Sequence, residues 1–97
     1  MNMDTIKKMV RELGVPAHLK GYTYLTEAIS LAAKNDEKIA TDALYQQIAA
    51  NNETTPCRVE RAIAHSIEIV RYGKNTEFDA MNNEEFIAFL AQKATAQ

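Results

Sequence analysis

The chain has 97 residues, of which 46% are hydrophobic and 25% charged, with a net charge of −2. Those values describe one globular domain with a single core and exclude an intrinsically disordered chain. No apolar run approaches the roughly 20 residues that cross a bilayer, no signal-peptide pattern opens the chain, and the lone Cys57 excludes an internal disulfide or a thiolate zinc cluster.

The hydrophobic pattern is helical almost throughout. Asp4 is placed to cap a first helix whose stripe, Ile6, Met9, Val10 and Leu13, follows an i, i+3, i+4, i+7 spacing. Gly14 offers the left-handed residue that ends such a helix, and Pro16 blocks its continuation. The short linker 15–20 makes the first two helices spatial neighbours. A second helix is expected over about 21–34, burying Leu25, Ala28, Ile29 and Ala32 with Tyr22 near its start, and Asn35, Asp36 and Glu37 break it. Thr41 is a suitable N-cap for a short third helix over 42–50, with Leu44, Tyr45 and Ile48 facing inward.

A polar turn, Asn51-Asn52-Glu53, comes next, and Asn tolerates the left-handed conformation of a tight helix exit. Thr55-Pro56 restarts the chain, because a residue before proline avoids the α region as an N-cap does, and proline suits the first helical position. The fourth helix then has two contrasting faces. Val59, Ala62, Ile63, Ser66, Ile67 and Val70 form the stripe to be buried; Arg58, Arg61, His65 and Glu68 lie opposite, flanked by Cys57, Glu60 and Ala64. Gly73 ends it. Asn82 or Asn83 caps a final helix using Phe86, Ile87, Phe89 and Leu90, and Asn82 with Glu85 has capping-box spacing. No strand pattern, repeat or low-complexity tract is present. The expected architecture is all-α: one domain over 1–97, a compact bundle of about five helices, with a helix-turn-helix at about 41–72.

A recognition helix contacts base edges from its first turns, where Arg58, Glu60 and Arg61 fall. Guanidinium matches the O6/N7 edge of guanine, and a carboxylate accepts from cytosine N4. The same pattern also describes an ordinary solvated face, so spacing alone leaves the two readings level. The acidic net charge is awkward for a nucleic-acid binder, but the charge is polarised. Residues 1–20 and 54–74 each carry four Lys/Arg against two Asp/Glu, whereas 21–53 carry two against five and 75–97 one against four. His65 on the same face and His18 in the loop before the second helix are candidate phosphate contacts or inert surface residues. His18, Cys57 and His65 lack a zinc spacing, no base is nominated for Cys57, and no glycine loop cradles a phosphate, so no metal, cofactor or catalytic residue is expected.

Two segments, VRELGVPAHLKGYTYLTEAISLA at 10–32 and TTPCRVERAIAHSIE at 54–68, together resemble the C-terminal DNA-binding effector domain of the sporulation master response regulator of endospore-forming bacteria. The resemblance is nearly continuous over 6–72 and resumes at EFIAFLAQK, 85–93. It implies a transcription regulator that reads a TGTCGAA-type promoter element in double-stranded DNA, commonly as head-to-tail tandem copies. Independently of it, the single cysteine and the lack of a signal or membrane-span pattern lead to the expectation of a reduced cytoplasmic protein. Arg58, Glu60 and Arg61 match base-reading positions of the family. His65 matches a backbone-contact position, and Thr55, Cys57, His18 and Lys20 are expected to approach the backbone with it. No receiver domain lies within these 97 residues.

Three departures stand out. Ala64 occupies a position where the family usually has arginine, and Pro56 and Cys57 replace small residues at the helix start. The stretch after Gly73 is shorter than the family's, which puts in question a polymerase sigma-factor contact and tandem homodimer packing. The competing expectation is a helical protein-interaction module that keeps the bundle with weak or lost DNA binding; an enzyme is not expected.

Overall fold

The computed structural model describes residues 3–34, 41–73 and 78–96, and every regular element in them is helical. In chain order these are α1 (Met3–Glu12), α2 (Lys20–Lys34), α3 (Thr41–Asn51), α4 (Pro56–Tyr72) and α5 (Asn83–Thr95). The all-α bundle expected from the hydrophobic periodicity is therefore the architecture observed. α2 is its central element, packed against each of the other four helices. Leu25, Ala28 and Ile29 are sealed from solvent along it, and Tyr22 and Tyr24 add two buried rings.

The helix boundaries show which local signals prevailed. α1 begins at Met3, so Asp4 lies inside its first turn rather than at the cap, where its charge still complements the helix dipole. The helix closes as a Schellman motif. Gly14 has φ +101, its N–H donates to the Arg11 carbonyl at 2.9 Å, and the Val15 N–H reaches back to Val10 at 3.4 Å. α2 and α3 each start one residue earlier than expected, at Lys20 and Thr41, differences within the usual fraying of helix ends. The break expected at Asn35–Glu37 lies outside the described residues.

The turn between α3 and α4 departs from expectation in an instructive way. The left-handed residue is Glu53, with φ 53, rather than either asparagine. Asn51 completes α3, and the Asn52 side chain is occupied elsewhere: its amide donates to the Ile48 carbonyl at 2.8 Å and to the Glu27 carboxylate at 3.1 and 3.2 Å. Reversal thus falls to the next residue, and the Thr54 N–H closes the turn on the Ala49 carbonyl at 3.0 Å.

α4 starts as its sequence requires. Thr55 is extended, with φ −111 and ψ 152, and Pro56 opens the helix. Gly73 ends α4 with an ordinary φ of −82, its N–H pairing with Val70 and Arg71, so the helix stops by tightening its last turn. The Arg71 guanidinium then donates from Nε to the Phe78 carbonyl at 3.2 Å and from Nη2 to the Met81 carbonyl. That side chain ties the end of α4 to the segment leading into α5. Asn82 caps α5 in a complete capping box with Glu85, and Phe78 is buried against Phe86 and Phe89 at centroid distances of 5.1 and 5.7 Å. No buried side-chain nitrogen or oxygen lacks a partner among the described residues.

Candidate nucleic-acid interface

α4 carries the candidate interface, and its orientation follows from its buried stripe. Val59, Ile63, Ser66 and Val70 are fully enclosed, Ile67 nearly so, and Ala62 is half-buried. With about 100° between successive residues, Arg58, Arg61, His65, Glu68 and Tyr72 must then look outward, and all five are exposed. Tyr72 is the one large hydrophobic side chain among the described residues left open, 86% exposed at the far end of this strip.

Thr55 fixes where the strip begins. Its hydroxyl oxygen accepts from the Arg58 N–H at 3.3 Å, which satisfies one of the amides orphaned at the start of any helix. The hydroxyl proton stays available to a further acceptor outside the protein. Residue Arg58 is therefore held at the third helical position by the cap, with Arg61 one turn further on.

α2 approaches this helix closely at its start. Gly21 packs so closely on α4 that a Cβ there would stand 2.1 Å from Ser66 Oγ and 2.5 Å from the Ala62 carbonyl oxygen. Ala62 is flanked along the helix surface by Arg58 four residues before and His65 three after. Lys20, the residue before Gly21, is exposed, and His18 is exposed in the turn leading to it. The crossing thus packs the start of α2 against the helix that carries Arg58, Arg61 and His65, with Lys20 and His18 exposed in the adjoining chain.

Glu60 and Cys57 occupy the other edge of α4, toward α3. With Asp42, Tyr45, Gln46 and Pro56 they line a shallow recess between the two helices. This edge is acidic: Tyr45 lies beside Glu60, Asp42 and Glu84. Burial is the main cause that pushes its phenol above the ordinary tyrosine value, the three carboxylates add to the shift, and a hydrogen bond from Asn83 partly offsets it. Glu60 is still exposed, so its carboxylate is presented to solvent one residue round from Arg61. The candidate base readers therefore adjoin an acidic edge.

Several residues that shape this surface were not nominated by sequence. The Asn83 side chain donates to Tyr45 Oη at 3.1 Å and to the Glu60 main-chain carbonyl at 3.3 Å. Asn52 locks the turn to α2, and Gly21 sets the depth of the α2–α4 crossing. Only Gly21 had a sequence signal, a glycine within an otherwise helical segment, which often marks close packing. Among the described residues, no group of three His, Cys, Asp or Glu is arranged to hold a metal ion, and no helix is long and apolar enough to cross a membrane. A family model described as "Sporulation initiation factor Spo0A C terminal" matches residues 6–94.

Proposed function

The chain belongs to this Spo0A C-terminal family, the DNA-binding effector domain of a sporulation regulator, and we propose that α4 is its recognition helix, reading a TGTCGAA-type element in double-stranded DNA. In this reading Arg58 and Arg61 donate to guanine edges in the major groove and Glu60 accepts from a cytosine amine. His65, Thr55, Cys57, Lys20 and His18 face the phosphates on either side and set the register, a role that carries no sequence information of its own.

The observation that supports this reading is the Gly21–Ala62 crossing, which packs the start of α2, next to the exposed His18 and Lys20, against α4. A lone charged helix face is commonplace, whereas a second basic segment docked beside it makes a strip suited to a duplex. The net charge of −2 then implies modest affinity that falls steeply with salt. The domain acts in the cytoplasm, where its DNA lies, and tandem copies on adjacent elements offset the weakness of one.

Fluorescence anisotropy with a TGTCGAA duplex and a scrambled duplex, each at two salt concentrations, tests the reading. The expected outcome is tighter binding to the TGTCGAA duplex at both salts. Equal binding to both duplexes would remove the base-reading role, and no binding to either would favour the protein-interaction module, whose support is the acidic edge formed by Asp42, Glu60 and Glu84 around Tyr45.

A further inference from the structure

We propose that Asn83, at the first turn of α5, is a positioning residue for the recognition helix; this rests on the DNA-binding reading of α4 given above. Its amide nitrogen carries two hydrogens, and each has an acceptor on a different helix of the helix-turn-helix. One is Tyr45 Oη on α3 at 3.1 Å; the other is the Glu60 carbonyl oxygen on α4 at 3.3 Å. These partners lie 38 and 23 residues away in sequence, so a single side chain joins three elements.

The clamp engages α4 at a telling place. Glu60 is two residues from Arg58 and one from Arg61, and its carbonyl belongs to the turn that presents both guanidinium groups. The other end of the clamp is rigid. Asn83 follows Asn82, whose side chain accepts from the Glu85 N–H at 2.9 Å in the capping box, and Phe86 and Ile87 anchor the next turn in the core. The backbone at Asn83 is therefore fixed from both sides, and the amide transmits that fixed position to α3 and α4. Base-reading side chains need support of this kind, because loose placement of the helix costs discrimination while leaving diffuse phosphate attraction intact.

Both amide hydrogens of Asn83 are spent on protein acceptors, so a positioning role gives its removal a signature distinct from loss of a DNA contact. Asn83→Ala and Asn83→Asp both delete the two donors. Each is expected to weaken binding to the TGTCGAA duplex by about two- to tenfold, the range of one or two modest hydrogen bonds. Binding to the scrambled duplex and the salt dependence should match the parent, because no phosphate contact is lost. Tyr45→Phe combined with Asn83→Ala should lose less than the two single changes together, since they remove one shared bond.

The titration is run on the whole chain, with the thermal midpoint measured on each variant. Equal losses on both duplexes, or a lowered thermal midpoint with the specificity ratio unchanged, would show that Asn83 only stabilises the bundle and would overturn the proposal. A parent that binds both duplexes alike overturns the DNA reading and the proposal with it. A parent that discriminates, beside Asn83 variants that discriminate equally well, overturns the proposal alone.

Discussion

The α-carbon of Gly21 lies so near the Ala62 carbonyl that a methyl group on it would come within 2.5 Å of that oxygen. The contact sets how deeply the start of α2 sits on α4. Ser66 completes the crossing: its hydroxyl donates to the same carbonyl at 3.1 Å, so the buried oxygen stays satisfied.

Gly21→Ala therefore opposes two effects. Alanine favours a helix over glycine by up to about 1 kcal/mol, but the backbone carbonyl cannot move aside as a side chain can. Overpacking of this kind costs about 1–3 kcal/mol, and it should prevail because the contact is with main chain. The thermal midpoint is expected to fall by about 4–8 °C for each kcal/mol lost. Adding Ser66→Ala removes only the hydroxyl contact, so the double variant should remain destabilised. Full recovery on thermal melting would show that the Ser66 side chain, not the Ala62 carbonyl, limits the crossing.

Arg58→Ala and Arg61→Ala act on an exposed strip. Each should weaken binding to the TGTCGAA duplex by about 1–3 kcal/mol, with stability changed by no more than about 0.5 kcal/mol. Titration against both duplexes and parallel melting separate the two quantities. Equal loss on the scrambled duplex would reduce these residues to phosphate anchors.

Ala64 lies one turn beyond Glu60 and Arg61 and is half-buried at the margin of the polar face. Ala64→Arg adds a charge at the position where the resemblance leads one to expect an arginine, and arginine is a good helix former. Affinity should rise, and the slope of log K against log salt should steepen by about 0.9 for one added phosphate contact. An unchanged slope with unchanged affinity would place this margin away from DNA.

Tyr45 gives a prediction with a definite sign. Burial raises its phenol above the ordinary value of 10.0, helped by Glu60, Asp42 and Glu84 against the hydrogen bond from Asn83. Below that pH both the folded and the unfolded chain hold the proton, and the group adds no slope. Above it the folded protein keeps the proton that the unfolded chain releases, so stability falls as pH rises. Denaturant unfolding of the parent and of Tyr45→Phe should therefore show parallel pH profiles below 10, with the parent losing stability more steeply above it. Parallel profiles throughout would mean that the phenol is not perturbed by folding.

The sequence by itself determined the helices, their buried faces and two of their starts. Ile6 and Val10 on α1, Leu25 and Ile29 on α2, and Val59, Ile63 and Val70 on α4 lie where their spacing put them, because the period of a helix depends only on residues three or four apart. The Thr55-Pro56 start and the Asn82–Glu85 box were readable for the same reason: each is settled within four residues. The division of α4 into a buried stripe and a charged strip followed directly. Only the tertiary structure decided what borders that strip. Gly21 against Ala62, Asn52 holding Glu27, and Asn83 joining Tyr45 to Glu60 link residues 23 to 41 positions apart or bridge separate helices. Glu53 took the left-handed turn because Asn52 was drawn to a partner on α2. No local pattern encodes those meetings; they arise when the buried stripes of several helices share one core, and the polar groups at the crossings must then pair with whatever the packing brings near.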